Sequence, residues 1–238
     1  MLKIENYTKH YGDFLAVDKL NLHVKPGTLV GFIGHNGAGK TTTLRSIAGI
    51  LDFDGGTIEI NGTDIEKDPI RVKSVTAFIP DNPELYEFLT GAEYLDFISD
   101  VYQLDDAVRQ ERIHRYARTF EIESNLSDRV SSYSHGMKQK LALIGALIHE
   151  PKLMLLDEPF VGLDPIAARS LRGYLRDICD NGGAVLFSTH VLEVAQKICD
   201  EIAIIKKGKL VVQGVTEELT QKESLEDIFV ELSQSEVV

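Results

Sequence analysis

The stretch Gly34-His35-Asn36-Gly37-Ala38-Gly39-Lys40-Thr41 has the spacing G-x-x-x-x-G-K-[ST]. Glycines let the backbone curl so that successive N–H groups face one point, where they can hold phosphate oxygens. A helix opening directly behind the loop adds partial positive charge there. Lys40 is placed to neutralise the β- and γ-phosphates of a nucleotide, and the Thr41 hydroxyl to ligate Mg²⁺. Thr42 follows within the same binding stretch. A ligand-free glycine turn between strand and helix would share this composition. The full spacing, with a buried strand before it and a helix after it, favours phosphate binding.

A second constellation lies far along the chain. Leu153-Met154-Leu155-Leu156-Asp157-Glu158-Pro159 puts two acids at the end of an apolar run. In open α/β sheets, ligands bind at the carboxyl ends of strands. Asp157 can then hold the Mg²⁺ shell, and Glu158 can polarise the water that attacks a γ-phosphate. Taken alone, two acids at a strand end are as often only solvated. Ser188-Thr189-His190 ends the next apolar run. From there His190 can reach a γ-phosphate, although a lone histidine is more often structural.

These residues need strands and helices to position them. Residues 2–5 and 20–24 alternate apolar and polar side chains, which predicts strands, with a turn at Lys25-Pro26-Gly27. Residues 29–33 are continuously apolar, as in a strand buried on both faces. A helix is predicted over 40–48, and a strand over 57–60 closed by Asn61-Gly62. From 83 to 150 the period becomes helical, with Tyr94, Phe97, Ile98 and Val101 on one face and Ile113, Tyr116, Ala117 and Phe120 on another. Buried strands are predicted again at 153–156, 184–187 and 202–205, with a helix over 166–180 between the first two. Lys207-Gly208 turns a hairpin into 210–212, and a short helix is predicted at 225–232.

The expectation is an α/β fold: a P-loop NTPase core with a mostly parallel sheet, an antiparallel β subdomain and an inserted helical subdomain. The core takes residues 1–82 and 151–215, the helical subdomain 83–150 and a tail 216–238, all within one domain of 238 residues.

Bulk properties narrow the function. A net charge of −12 disfavours nucleic acid and anionic lipid as partners, yet leaves room for a local basic nucleotide pocket. Cys179 and Cys199 have no metal-ligand neighbours and read as free core thiols in a reducing compartment. The opening residues carry no apolar core of a secretory signal. The longest apolar run, 141–148, is far too short to span a bilayer, so any membrane link must run through a partner.

In this order and spacing the motifs resemble the ATP-binding subunits of ABC transporters, over residues 2 to about 215. The resemblance implies ATP and Mg²⁺ as cofactors and further roles. Tyr11, in Lys9-His10-Tyr11-Gly12, matches the aromatic on which adenine stacks. Ser134-His135-Gly136-Met137-Lys138-Gln139 stands at the signature loop, usually S-G-G-Q, and Val161-Gly162-Leu163-Asp164-Pro165 at the loop after the catalytic strand. The family pairs two domains head to tail. Ser134 and the Gly136 N–H would therefore contact the γ-phosphate held by a second copy or a paralogue. Two departures stand out. His135 replaces a glycine, and the Gly-Met-Lys-Gln variant resembles bacterial exporters of the ABC-2, Ecs or bacitracin-resistance types. Asp81 occupies the position of a glutamine that ligates Mg²⁺; it either keeps that role as a carboxylate or faces water.

The implied function is an ATPase energising a separate integral membrane permease, cytoplasmic and peripheral on the inner face of the membrane. The stretch from Asp81 to Tyr94, rich in apolar and aromatic residues, is the expected permease contact. The alternatives are a soluble ABC ATPase on ribosome or DNA, and a regulatory switch that barely hydrolyses ATP. Single-domain length and acidic charge count against the first, and Glu158 with His190 against the second. A small P-loop kinase would have no need of Ser134–Gln139 or His190.

Overall fold

Where apolar residues alternate in this chain, the strands build an antiparallel sheet. Where they run unbroken, the strands build a sheet covered on both faces. The computed structural model describes residues 1–234. In chain order its main elements are β1 (Leu2–Tyr11), β2 (Phe14–Val24), β3 (Leu29–Ile33), α1 (Lys40–Ile47), β4 (Gly55–Ile60), β5 (Thr63–Asp64), α2 (Pro69–Ser74) and β6 (Thr76–Ile79). Then come α3 (Gly91–Val101), α4 (Asp106–Thr119), α5 (His135–Leu147), β7 (Leu153–Asp157), α6 (Pro165–Asp180), β8 (Ala184–Thr189) and α7 (Leu192–Ile198). The chain continues with β9 (Glu201–Lys206), β10 (Lys209–Val215), α8 (Thr216–Leu219) and α9 (Leu225–Gln234).

The antiparallel sheet has the order β2-β1-β4-β5. Asn61 and Gly62, both with positive φ, make the tight turn between β4 and β5. β1 and β2 run well beyond the segments that alternation predicts. Register shifts between Ile4 and Tyr7, Tyr7 and Lys9, and Lys9 and His10 mark bulges, and each one resets the period of two. The second sheet has the order β10-β9-β3-β8-β7-β6. β9, β3, β8, β7 and β6 are parallel to their neighbours, and β10 is antiparallel to β9.

Side chains on the parallel strands alternate between two cores. Leu153, Leu155 and Leu186 face the antiparallel sheet and α1, with Leu44 and Ile47 of that helix beside them. Met154, Leu156, Val185 and Phe187 face the other way, onto α6 and the helices of residues 91–147. Those helices start on a reciprocal cap: Glu93 N donates to Thr90 Oγ1 (3.2 Å) and Thr90 N to Glu93 Oε2 (2.7 Å). Cys179 and Cys199 are free and buried, with both thiols pushed above their ordinary pKa by burial. The predicted tail helix is present as α9. The short helices α2 and α7 escape the periodicity reading because neither completes two full turns.

His149, just after α5, is stacked face to face on Tyr102 at 3.6 Å between centroids. Burial pushes its pKa from 6.5 down to about 4. Between those values the unfolded chain binds a proton that the folded chain refuses, so stability rises with pH through this window. Urea titrations should therefore show stability falling from pH 6.5 to pH 4. His149→Phe, which keeps the stacked ring, should flatten that slope.

Candidate functional site

The parallel sheet brings three strand ends to one edge. Ile33 pairs with Thr189, and Asp157 with Ser188, so the phosphate loop, the two acids and His190 all emerge side by side. β3 runs directly into residues 34–39 and then into α1. The loop passes close to other backbone at two places. A Cβ on Gly34 would lie 2.6 Å from Ile205 O, and one on Gly39, whose φ is 107°, would lie 3.0 Å from Ala16 O. Only glycine fits either position.

Lys40 Nζ donates to Gly34 O (2.6 Å) and His35 O (3.2 Å), so its ammonium lies within the curl of the loop. Burial lowers its pKa from the ordinary lysine value, and the charges of Glu158 and Asp157 oppose that shift. α1 starts at Gly39 with no side-chain cap and no acidic residue in its first turn. Its first donors are therefore left for an anion from outside the chain.

Asp157 ends β7 at 2% exposure. Thr41 Oγ1 donates to its Oδ2 at 2.5 Å, and the Ser188 hydroxyl donates to its Oδ1. The Thr41 and Asp157 oxygens thus sit together at the mouth of the phosphate loop. Among the described residues no group of three or more His, Cys, Asp or Glu could hold a metal. One hydroxyl and one carboxylate, completed by phosphate oxygens and water, is the donor set that suits Mg²⁺.

Glu158 follows in the left-handed region at φ 49°. For a residue with a Cβ that conformation costs about 1–3 kcal/mol. Bonds from Glu158 N to Ser188 O (3.1 Å) and Ser188 Oγ (3.3 Å) hold it there. The carboxylate Oε1 meets His190 Nδ1 at 2.7 Å. The twist at Glu158 separates the two acids: Asp157 stays buried beside Thr41, while Glu158 joins the mostly exposed His190.

The signature segment begins α5. Ser134 is the N-cap and accepts from Met137 N at 3.3 Å. The His135 ring lies against Gly162, where a Cβ would approach its Cδ2 to 2.8 Å, and a Cβ on Gly136 would stand 2.9 Å from Gly162 O. Lys140 pairs with Asp164 at 2.6 Å, and Asp164 also accepts from Ile166 N (3.0 Å) and Ala167 N (2.8 Å) at the head of α6. The Lys140 contact holds the Asp164 carboxyl below the usual range. His135, the departure from the family loop, is thus seated on the loop that follows the catalytic strand.

Sequence and structure meet unevenly. Lys40, Thr41, Asp157, Glu158 and His190 come together. Tyr11 ends β1 at 49% exposure, with Lys9 Nζ over its ring at 5.6 Å from the ring centre. Asp81 is exposed after β6 and its Oδ1 accepts from Asn82 N at 2.9 Å. Among the described residues no hydrogen bond links Asp81, Ser134 or Gly136 to the phosphate loop. Sequence reasoning missed Ser188, which serves both acids. The signal was a hydroxyl two residues before His190, meaningful only once β7 and β8 are known to pair in register.

A mostly parallel sheet whose edge carries a phosphate-loop motif, a buried aspartate and a glutamate–histidine pair defines a P-loop NTPase domain. The family model described as ABC transporter matches residues 17–161. The ABC-type transporter ATP-binding protein EcsA of Bacillus subtilis (strain 168) is 34% identical, over 99% of this chain and 98% of its own length. The ABC transporter ATP-binding protein NatA of the same organism is 35% identical, over 90% and 87%. The solved structure of an ATP-binding subunit of an ABC transporter superposes with a TM-score of 0.94 at 33% identity, covering 98% of this chain and 100% of that one. A dimeric ATP-binding cassette in a post-hydrolysis state, bound to ADP and Pi, shares the fold at TM-score 0.82 and 23% identity, over 91% of this chain and 99% of its own. The chain belongs to the ABC transporter family and is an ATP-binding, ATP-hydrolysing subunit of that family. Among the described residues no helix is long and apolar enough to cross a membrane.

Ser188→Ala removes the hydroxyl that donates to Asp157 and accepts from the Glu158 N–H, while leaving the phosphate loop intact. ATP binding should hold, while steady-state turnover falls on the order of 10- to 100-fold, the scale of a hydrogen bond to a charged group.

Proposed function

We propose that this chain is the ATP-hydrolysing engine of a bacterial exporter. It works head to tail with a second copy or a paralogue, and sits on the cytoplasmic face of the membrane through a separate permease. The observation that carries the reading is the pairing of Glu158 with His190 beside the Thr41–Asp157 contact, at the mouth of the phosphate loop.

The residues divide the reaction between them. Backbone N–H groups of residues 34–41 receive the phosphates, and Lys40 turns its ammonium from the loop carbonyls to the β- and γ-oxygens. Tyr11 stacks on adenine. Thr41 and Asp157 would hold a Mg²⁺ ion, which would supply neutralisation of phosphate charge. Glu158 accepts a proton from the water that attacks the γ-phosphorus, as the bond to the ADP oxygen breaks. His190 orients Glu158 through Nδ1 and keeps Nε2 for the γ-phosphate. Ser134 and the Gly136 N–H, at the head of α5, face the γ-phosphate held by the second copy. Asp81 is a further candidate ligand of the cation.

Two observations support a membrane partner. Tyr86, Phe88 and Phe97 form an exposed aromatic cluster, Phe88 at 72% exposure, with Tyr86 5.4 Å from Phe97 and 5.9 Å from Phe88. Beside them a cleft of about 220 Å³, lined by Phe78, Leu85, Tyr94, Ile98 and Tyr102, opens between β6 and the helices of residues 91–147. Exposed apolar surface of this kind suits a protein partner. The Gly136-Met137-Lys138-Gln139 variant favours export.

Lys40→Ala should abolish nucleotide binding in an equilibrium assay. Glu158→Gln should bind ATP, lose turnover and run as a dimer on size exclusion with ATP; turnover at the parental rate would remove Glu158 from its role. Capturing that trapped dimer from detergent-solubilised native cells should bring down a multi-span membrane protein. Ribosomal proteins or DNA-repair factors alone would replace the transport reading. Asp81→Ala should raise the Mg²⁺ concentration for half-maximal turnover several-fold. An unchanged value would leave Asp81 as the cap of its own loop.

A further inference from the structure

The tail is tied to the nucleotide edge of the sheet. Leu225, Ile228, Phe229 and Leu232 form one apolar stripe of α9 at spacings of three and four, while Glu226, Asp227 and Glu231 lie off it. Ser224 and Asp227 cap the start of the helix reciprocally, with Ser224 N donating to Asp227 Oδ2 (3.2 Å) and Asp227 N to Ser224 Oγ (3.1 Å). Leu225 is fully buried, and its N–H donates to Gln196 Oε1 of α7 at 3.1 Å. Farther along, Leu232 O accepts from Lys206 Nζ at the end of β9 (2.7 Å). Between these anchors the Phe229 ring lies 4.5 Å from the ring of His35, the second residue of the phosphate loop.

We propose that Phe229 is a positioning residue for ATP binding: through His35, the anchored α9 braces the phosphate loop in its receptive form. The proposal rests on residues 34–41 being the nucleotide site. The loop contains Gly34, Gly37 and Gly39, the last two at positive φ, so much of its backbone freedom must be surrendered when it closes on phosphate. A ring held against position 35 by a helix fixed at both ends removes part of that freedom beforehand. Less ordering remains to oppose binding. Ile228, Phe229 and Leu232 all pack on the core, and Phe229 also reaches the loop through its aromatic contact.

The test compares two substitutions that differ in the ring. Phe229→Leu keeps apolar packing and removes the ring; Phe229→Tyr keeps the ring. Equilibrium binding of a non-hydrolysable ATP analogue with Mg²⁺ is measured on the full chain, with thermal melts alongside. Phe229→Leu should weaken binding about 3- to 10-fold, the scale of one aromatic pair, with an unchanged melt. Phe229→Tyr should bind like the parent. His35→Ala should weaken binding comparably, and adding Phe229→Leu to it should weaken binding no further. Unchanged or tighter binding by Phe229→Leu, equal loss in Phe229→Tyr, or additive losses in the double variant would each overturn the brace. Lys40→Ala in the same assay separates the two ideas: parental affinity there would refute the nucleotide site itself.

Discussion

A carboxylate taken out of water must be surrounded by donors, and Asp157 sets this requirement for the whole edge of the sheet. Its partners come from two places distant in sequence, Thr41 at the head of α1 and Ser188 at the end of β8. Satisfying both oxygens fixes α1 against β7 and fixes β7 in register with β8. Removing either partner would leave a buried charge short of donors, which is costly at low dielectric. The phosphate loop, which spans β3 and α1, inherits its position from this arrangement. Glu158 can adopt a left-handed backbone because the same Ser188 supplies the bonds that hold it there. Structural satisfaction of one acid and orientation of the other are thus a single piece of chemistry.

Much of this was legible in the sequence because the relevant signals are local. The phosphate loop is contiguous, and unbroken apolar runs mark β3, β7 and β8 without reference to their neighbours. The turn at Asn61-Gly62 and the helical period of residues 91–119 are equally local. What the sequence did not disclose depends on pairing between segments. The role of Ser188 exists only through the β7–β8 register. The reach of β1 to Tyr11 was hidden by bulges that break the alternation from which strands are read. Lys140 and Asp164 are 24 positions apart, and nothing in their surroundings announces that they meet. The tail helix was visible as an amphipathic stretch, but its contact with His35 brings together residues nearly 200 positions apart.

His135 illustrates a different limit. In the sequence it is visible only as a departure from a glycine. In the folded chain its ring has a definite seat on Gly162, and the backbone of Gly136 closes against the same glycine. The substitution therefore exchanges local freedom for a contact across the fold, and Lys140–Asp164 adds an ion pair one turn farther on. Neither effect is contained in the identity of the residue at position 135.

That seat has a mechanical consequence. Residues 158–164 leave β7 and reach the start of α5 before entering α6, and the two segments meet at Gly162 and again at Lys140–Asp164. A displacement on either side would meet the other at those two contacts.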